Sequence, residues 1–345
     1  MDSIIYFILG VIIVCCTAYD LIYTTFAPRG ASIISGPVTL AVWRIFYHIG
    51  RLKSTRAPLT GAGIAIVFAI LLTWVFLLWA GNAFIYSSDE DSVVNTTTLL
   101  PANAMERIYF TGYTLSTLGN GDFKAGTGGW SIYTAFISFT GLIFITIAIT
   151  YMVPVLSAVT QRRALSIQIA SIGHSPQRIL LNNWNGEHLK KLEGQFQNLT
   201  HEIVHQGQMH LSYPVLHYFQ HKNKEESLLP NLAALDEAIT IMLLYVPEQM
   251  RPGDEYLVPL RKAITTFIGS LTSLYVQTDK SDVPAIHIDE LQQADFPLLD
   301  PDIHKMEKLS KRRRALKYMV EYNGWKWKEI SASVLGQDMD LESML

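Results

Sequence analysis

Hydrophobic and polar positions divide the chain into two parts of different character. Residues 57–88 and 125–161 contain no Asp, Glu, Lys or Arg; residues 3–19 contain none either, and their apolar run continues past Asp20 to residue 28. The two longer runs exceed the roughly 20 residues that a helix needs to cross a hydrocarbon core. Three membrane-spanning helices are predicted: about 4–26, within 57–88, and about 129–159. Beyond residue 161 apolar residues recur at three- and four-residue intervals over 187–206, 228–245 and 256–275, the period of water-facing amphipathic helices. Pro247 and Pro252 mark one turn there and residues 278–284 another. No run of alternating strand positions and no G-x-G-x-x-G occurs in this part. The expected fold is an all-α membrane protein: a first transmembrane helix (1–28), a cytoplasmic linker (29–58), a membrane-embedded domain (59–160) and a mostly helical cytoplasmic domain (161–345).

The loop between the second and third spans, 102–128, breaks this simple pattern. Its middle, 105–116, is apolar and helical in character but too short to span, and a glycine-containing turn follows. That arrangement predicts a re-entrant segment. Irregular backbone survives at membrane depth only where it is buried in protein or lines a water-filled path.

Charge sets the orientation. The linker carries Arg29, Arg44, Arg51, Lys53 and Arg56, and Arg162 and Arg163 follow the third span. The stretch between the second and third spans holds Asp89, Glu90, Asp91, Glu106 and Asp122 against Arg107 and Lys124. Short loops rich in Lys and Arg stay in the cytoplasm, so the N-terminus is expected outside and the C-terminal domain inside. Met1-Asp2-Ser3 lacks the positive start of a signal peptide, which favours a retained helix. Residues 36–53 interleave Trp43, Phe46 and Tyr47 with Arg44, His48, Arg51 and Lys53, as suits either an interfacial helix on membrane lipid or a helix packed on the bundle. The net charge of −3 gives no sign of a nucleic-acid partner. Cys15 and Cys16, adjacent in the first apolar run, form no disulfide framework or metal spacing, and buried packing is expected for them. Asp20, near the cytoplasmic end of the first helix, is expected to be solvated or paired with a linker arginine.

The chemistry lies in Thr117-Leu118-Gly119-Asn120-Gly121-Asp122. A cation that sheds its water needs oxygens in place of the hydration shell, and rings of backbone carbonyls supply them when several chains surround one axis. Glycine at alternate positions permits the unusual dihedrals this requires. Thr117 adds a hydroxyl, Asp122 adds charge at the outer mouth, and a preceding short helix aims its negative end at the cation.

On these residues, the stretch from about 59 to 158 resembles the two-helix pore module of the potassium channel family, whose filter signature is T-V-G-Y-G-D. Thr117, Gly119, Gly121 and Asp122 match, and Leu118 replaces valine. Thr114 and Ser116 fall where the family has threonines, and Tyr109, Phe110 and Tyr113 occupy pore-helix support positions. Gly141 stands at the family's hinge glycine, and Pro154 adds a kink near the inner mouth, with a gate near Val155 and Ala158. The resemblance implies a homotetramer that passes K+ as permeant ion, without a cofactor and without enzymatic activity. Asn120 departs from the family's aromatic, so a non-selective sodium/potassium channel stays open as an alternative. No segment has arginine at every third position, so the family's voltage sensor is not expected.

Two further readings remain. His201-Glu202-Ile203-Val204-His205 spells H-E-x-x-H, with Glu225 further along, as in a membrane-tethered zinc hydrolase; His201 and His205 on one helix face are the candidate metal ligands. A sensor or scaffold retaining a degenerate pore is the other. A regulatory ligand or partner at the cytoplasmic domain is left open. The basic run Lys305, Lys308, Lys311, Arg312, Arg313, Arg314 and Lys317, followed by Trp325 and Trp327, is expected to be a solvated face, with anionic lipid as the alternative. A bacterial inner membrane is the expected location.

Overall fold

The computed structural model describes residues 2–27, 32–53, 57–271, 282–301 and 303–331. Arg29, Arg56, most of the 278–284 turn and the Lys305 side chain lie outside the described residues. The chain forms two compact units. One comprises Met1–Lys53, Gly61–Ser157 and Ser212–Tyr218; the other comprises Ser54–Thr60, Ala158–Leu211 and Phe219–Leu345.

In the first unit, α1 (Asp2–Phe26) packs along α3 (Ala62–Tyr86). Gly10 and Gly81 meet at the crossing: a Cβ on Gly10 would press into the Gly81 carbonyl, and one on Gly81 into Val14 and Ile13. Small residues let helix backbones approach this closely in lipid. Asp20 is not solvated, and among the described residues no arginine pairs with it. It is fully buried, and its carboxylate accepts from Trp74 Nε1 on α3 (2.7 Å) and from the backbone N–H groups of Ile34 (2.8 Å) and Ser35 (3.2 Å). Those two amides open α2 (Ser35–Leu52). A helix start leaves N–H groups without partners and carries partial positive charge, so an acidic side chain beneath it satisfies both. Thr24 and Ser35 share a hydroxyl hydrogen bond of 2.8 Å beside it. The linker helix therefore packs on the bundle at its start, and further along Trp43 is buried against Tyr218, ring centres 5.2 Å apart. Cys15 is exposed on α1, not buried as expected.

The loop after α3 contains two three-residue strands that the sequence pattern did not announce: β1 (Val93–Asn95) and β2 (Phe123–Ala125), paired antiparallel. Between them lies α4 (Ala104–Leu115). After β2 comes α5 (Gly128–Ile172), which continues well past the expected end near residue 159 and carries Pro154 in its interior.

Among the described residues four helical stretches are long and apolar enough to cross a membrane: Ser3–Phe26, Ala57–Tyr86, Gly128–Ile172 and Leu228–Tyr245. The fourth was not read as a span, and its surroundings differ from the others. In the first three, 22%, 39% and 22% of the most apolar stretch is buried within the protein, whereas in the fourth it is 94%. A helix that is apolar all round sits either in lipid or in a protein core. Leu228–Tyr245, here α8, is the centre of the second unit's core. Around it stand the end of α5, α6 (Pro176–Leu181), α7 (Leu192–Ser212), α9 (Asp254–Leu271), α10 (Asp289–Gln293), α11 (Ile303–Tyr322) and α12 (Lys328–Ser331). Helix α7 starts later than the sequence period suggested, because Asn185 Oδ1 accepts from the amides of Glu187 and His188 and holds a turn there.

The basic run on α11 is not simply a solvated face. Arg312 Nε donates to Asp236 of α8 (2.9 Å), and Arg313 Nε to Glu237 (2.8 Å). Arg261 of α9 adds a second cation at Asp236, 3.3 Å away. Both carboxylates are buried, and a buried charge needs a paired, hydrogen-bonded counter-charge. Trp325 and Trp327 are buried in the same core rather than presented to lipid. Lys224 is a half-buried charge: its Nζ donates to the carbonyls of His174 (2.7 Å) and Glu329 (2.6 Å), which ties α12 to the end of α5.

Two predictions follow from these buried charges. Asp20→Leu is expected to lower the thermal midpoint of the detergent-purified protein, and Asp20→Asn, which keeps an acceptor oxygen, to recover part of the loss; equal midpoints in all three would show that the carboxylate carries no load. For Lys224, burial pushes the amine from its ordinary 10.5 down to about 8. The unfolded chain then holds more protons across that window, so stability rises as pH climbs from about 8 toward 10.5. Lys224→Met should cost about 1–3 kcal/mol at neutral pH by orphaning the two carbonyls and should flatten the rise, as denaturant titrations at stepped pH would record.

Candidate functional site

The site is assembled on α4. Asn103 caps its start: Asn103 Oδ1 accepts from Glu106 N (3.0 Å), and Glu106 Oε2 accepts from Asn103 N (2.7 Å), the reciprocal capping box. Trp79 of α3 donates from Nε1 to the Ile108 carbonyl (2.8 Å), and its ring lies against Gly112. On another face Phe110 is buried with Tyr86, Val93, Ala102, Tyr113 and Ile137. Two hydroxyl bonds close this cluster across α3 and α5: Tyr86 with Thr134, and Tyr133 to Asn82, each 2.7 Å. A short, moderately apolar helix is thus wedged between two long ones.

The carbonyl end of α4 meets α5. Ser138 Oγ donates to Thr114 O (3.3 Å), and the Cα of Gly141 lies so close to Leu115 that any Cβ there would collide with its carbonyl oxygen. Beyond Ser116 the chain turns sharply, with Thr117 N donating to Thr114 O (3.0 Å) and Leu118 N to Tyr113 O (2.8 Å). Then the backbone alternates. Thr117 has φ 61°, Gly119 φ 61° and Gly121 φ 83°. Left-handed backbone is easy for glycine but costs a β-branched residue roughly 1–3 kcal/mol, and such strain gathers at functional positions. All six residues from Thr117 to Asp122 are exposed in the single chain, and a Cβ at Gly119 or Gly121 would meet nothing within 4 Å.

Behind this segment Asn120 Nδ2 donates to Tyr109 Oη. Tyr109 stands edge-on to Tyr113 at 5.1 Å, and Tyr113 Oη donates to Phe123 O (2.7 Å). Tyr109 and Tyr113 therefore back the segment, while Phe110 faces α3. At the outer end Thr96 contributes contacts that sequence reasoning missed: its Oγ1 donates to Gly121 O (2.7 Å) and its N to Asp122 O (2.9 Å).

Further along α5, Pro154 cannot donate to the Thr150 carbonyl, yet the helix continues on both sides. Tyr151 is buried edge-on to Tyr213 at 5.9 Å, and Val155 and Ala158 are also buried within their own chain. In the second unit His201 and His205 lie on α7; His201 is exposed and its nearest acid is the adjacent Glu202, at 3.7 Å. Among the described residues no group of three His, Cys, Asp or Glu is placed to hold a metal ion.

Over 327 residues the chain is 30% identical to the uncharacterized membrane protein YdjJ of Bacillus subtilis (strain 168), across 93% of this chain and 95% of that protein. The chain belongs to the YdjJ family. Within this YdjJ relative, residues 70–158 match the ion channel family, a segment that runs from within α3 through α4 and the 117–122 turn into α5. No solved structure matches the chain. The large apolar side chains left exposed on α1, α3 and α5, among them Phe7, Phe68, Phe76, Phe136 and Phe139, fit a membrane setting. This member of the YdjJ family is a membrane protein with an ion-channel domain.

Gly141→Ala is expected to damage the domain, because the added methyl meets fixed backbone rather than a movable side chain. Overpacking of this kind costs about 1–3 kcal/mol or more. The yield of folded protein by size-exclusion chromatography and its thermal midpoint should both fall, whereas Gly194→Ala, at an open position, should leave both unchanged.

Proposed function

We propose that the chain is one subunit of a homotetrameric potassium-selective channel whose filter is Thr117 to Asp122. The observation that carries this reading is the alternation of backbone hand at Thr117, Gly119 and Gly121, directly after the carbonyl end of a short helix. In a regular strand successive residues point to opposite sides. Alternating hand removes that reversal and turns successive carbonyls toward one side, which suits the carbonyls of Thr117, Leu118, Gly119 and Asn120 to replace a cation's hydration shell. One such strand cannot encircle an ion, so four copies around an axis are required. The exposure of all six residues in the single chain is what a surface facing an axis needs.

In this reading α1, α3 and the first part of α5 span a bacterial membrane, and α4 with the filter forms the re-entrant pore loop. The N-terminus lies outside, and α6 to α12 belong to a cytoplasmic domain. The burial of α8 in its own unit supports three spans rather than four. A sodium/potassium pore is the second reading, and Asn120 favours it, since an amide fills less space behind the filter than an aromatic ring. The hydrogen bond from Asn120 to Tyr109 supports the selective reading by supplying a directed contact instead.

The test is reconstitution in liposomes with a potassium gradient, then a sodium gradient, and Gly119→Asp as control. Potassium flux alone, abolished by Gly119→Asp, is the expected result. Equal flux of both ions would replace the selective reading with the second. Absence of flux from a well-assembled protein in both gradients would overturn the channel reading.

A further inference from the structure

The outer end of the 117–122 segment is held by a residue from a different part of the chain. Strands β1 and β2 pair Val93 with Ala125, Val94 with Lys124 and Asn95 with Phe123. One step further along the same register sets Thr96 opposite Asp122, and there Thr96 N donates to Asp122 O (2.9 Å). The Thr96 hydroxyl reaches one residue further and donates to Gly121 O (2.7 Å). The position of Thr96 is itself fixed from behind. Asn95 Oδ1 accepts from the amides of Thr97 and Thr98, both at 2.9 Å, Leu99 N donates to Asn95 O (3.0 Å), and Leu99 adopts φ 57°. The chain thus turns back immediately after Thr96. Ala102 N then donates to Val93 O (2.9 Å), which returns the chain to the sheet before α4 begins.

Two consequences follow for the filter. The Gly121 carbonyl already accepts one hydrogen bond from a hydroxyl, whereas the carbonyls of Thr117 to Asn120 are the ones the channel reading assigns to the cation. Gly121 is also a residue whose backbone turns readily, with φ 83° and open space at its Cβ position. A hydrogen bond to its carbonyl restrains a peptide that its own sterics leave loose.

The geometry points to Thr96 as a positioning residue that fixes the outer end of the filter and so helps set which monovalent cation passes. This rests on the channel reading above. Thr96 touches no ion; it acts through Gly121 and Asp122.

The experiment uses the full-length protein in planar bilayers, with the potassium-to-sodium permeability ratio read from the reversal potential. Thr96→Val keeps the shape, the strand preference and the backbone N–H, and removes only the hydroxyl; Thr96→Ser keeps the hydroxyl. The permeability ratio should fall about fivefold in Thr96→Val, the factor one net hydrogen bond is worth, and stay at the wild-type value in Thr96→Ser. A second readout needs no current: potassium should raise the thermal midpoint of the purified wild type and of Thr96→Ser more than sodium does, and Thr96→Val should lose that difference. A conducting Thr96→Val with wild-type permeability ratio and wild-type potassium response overturns the role of Thr96 and leaves the channel reading standing. A wild type with neither current nor ion-dependent stabilisation overturns the channel reading, and the role of Thr96 with it.

Discussion

The contact between Gly141 and the carbonyl end of α4 is the constraint on which the rest of the membrane unit depends. Helix carbonyls at a C-terminus lack intrahelical partners and carry partial negative charge. Here that end is pressed against α5 at a residue without a side chain, with Ser138 donating to the adjacent Thr114 carbonyl. Because α4 is held there and capped at Asn103, both ends of the short helix are fixed. The six residues after it inherit a defined starting direction. Their far end is fixed separately, through the register of β1 and β2. A strained backbone at Thr117 persists because its surroundings over-determine it from both sides.

The second unit solves a different problem. Helix α8 is almost wholly buried and yet carries Asp236 and Glu237 at its middle. Their burial would be costly alone, and three arginines from two other helices answer it. A buried ion pair adds little net stability over a hydrophobic replacement, but removal of one partner strands the other. The pairs therefore link the docking of α9 and α11 on α8 to the pairing of these charges.

Much of this was legible from the residues. The uncharged runs marked three long apolar helices, since a run without charges suits a helix in lipid, and the glycine spacing at 119 and 121 marked the turn with left-handed backbone. The helix α5 runs on to Ile172, past the span end expected near residue 159, because a proline and two arginines signal the edge of a span and not the end of a helix. The strands were missed because three residues are too few for an alternation to register. Asp20 was misread because sequence distance gives no hint that Trp74, on another helix, donates to it. In the basic run on α11, Lys308 and Lys311 are exposed as expected, but Arg312 and Arg313 were misread for the same reason: their partners lie far away in the chain. Local pattern carries local structure, and these pairings are long-range.

The carboxylate of Asp20 has one more consequence, for the modularity of the protein. A first helix whose task is only to tether or orient a chain is interchangeable with any apolar segment of equal length. This one supplies the acceptor for an indole on α3 and for the first amides of α2, and its Gly10 fits the groove at Gly81. It is an internal part of the membrane unit rather than an appendage. A chimera that grafted α2 to α5 onto a foreign anchor would carry away two pieces of a three-piece joint, and the linker helix would begin with nothing beneath it.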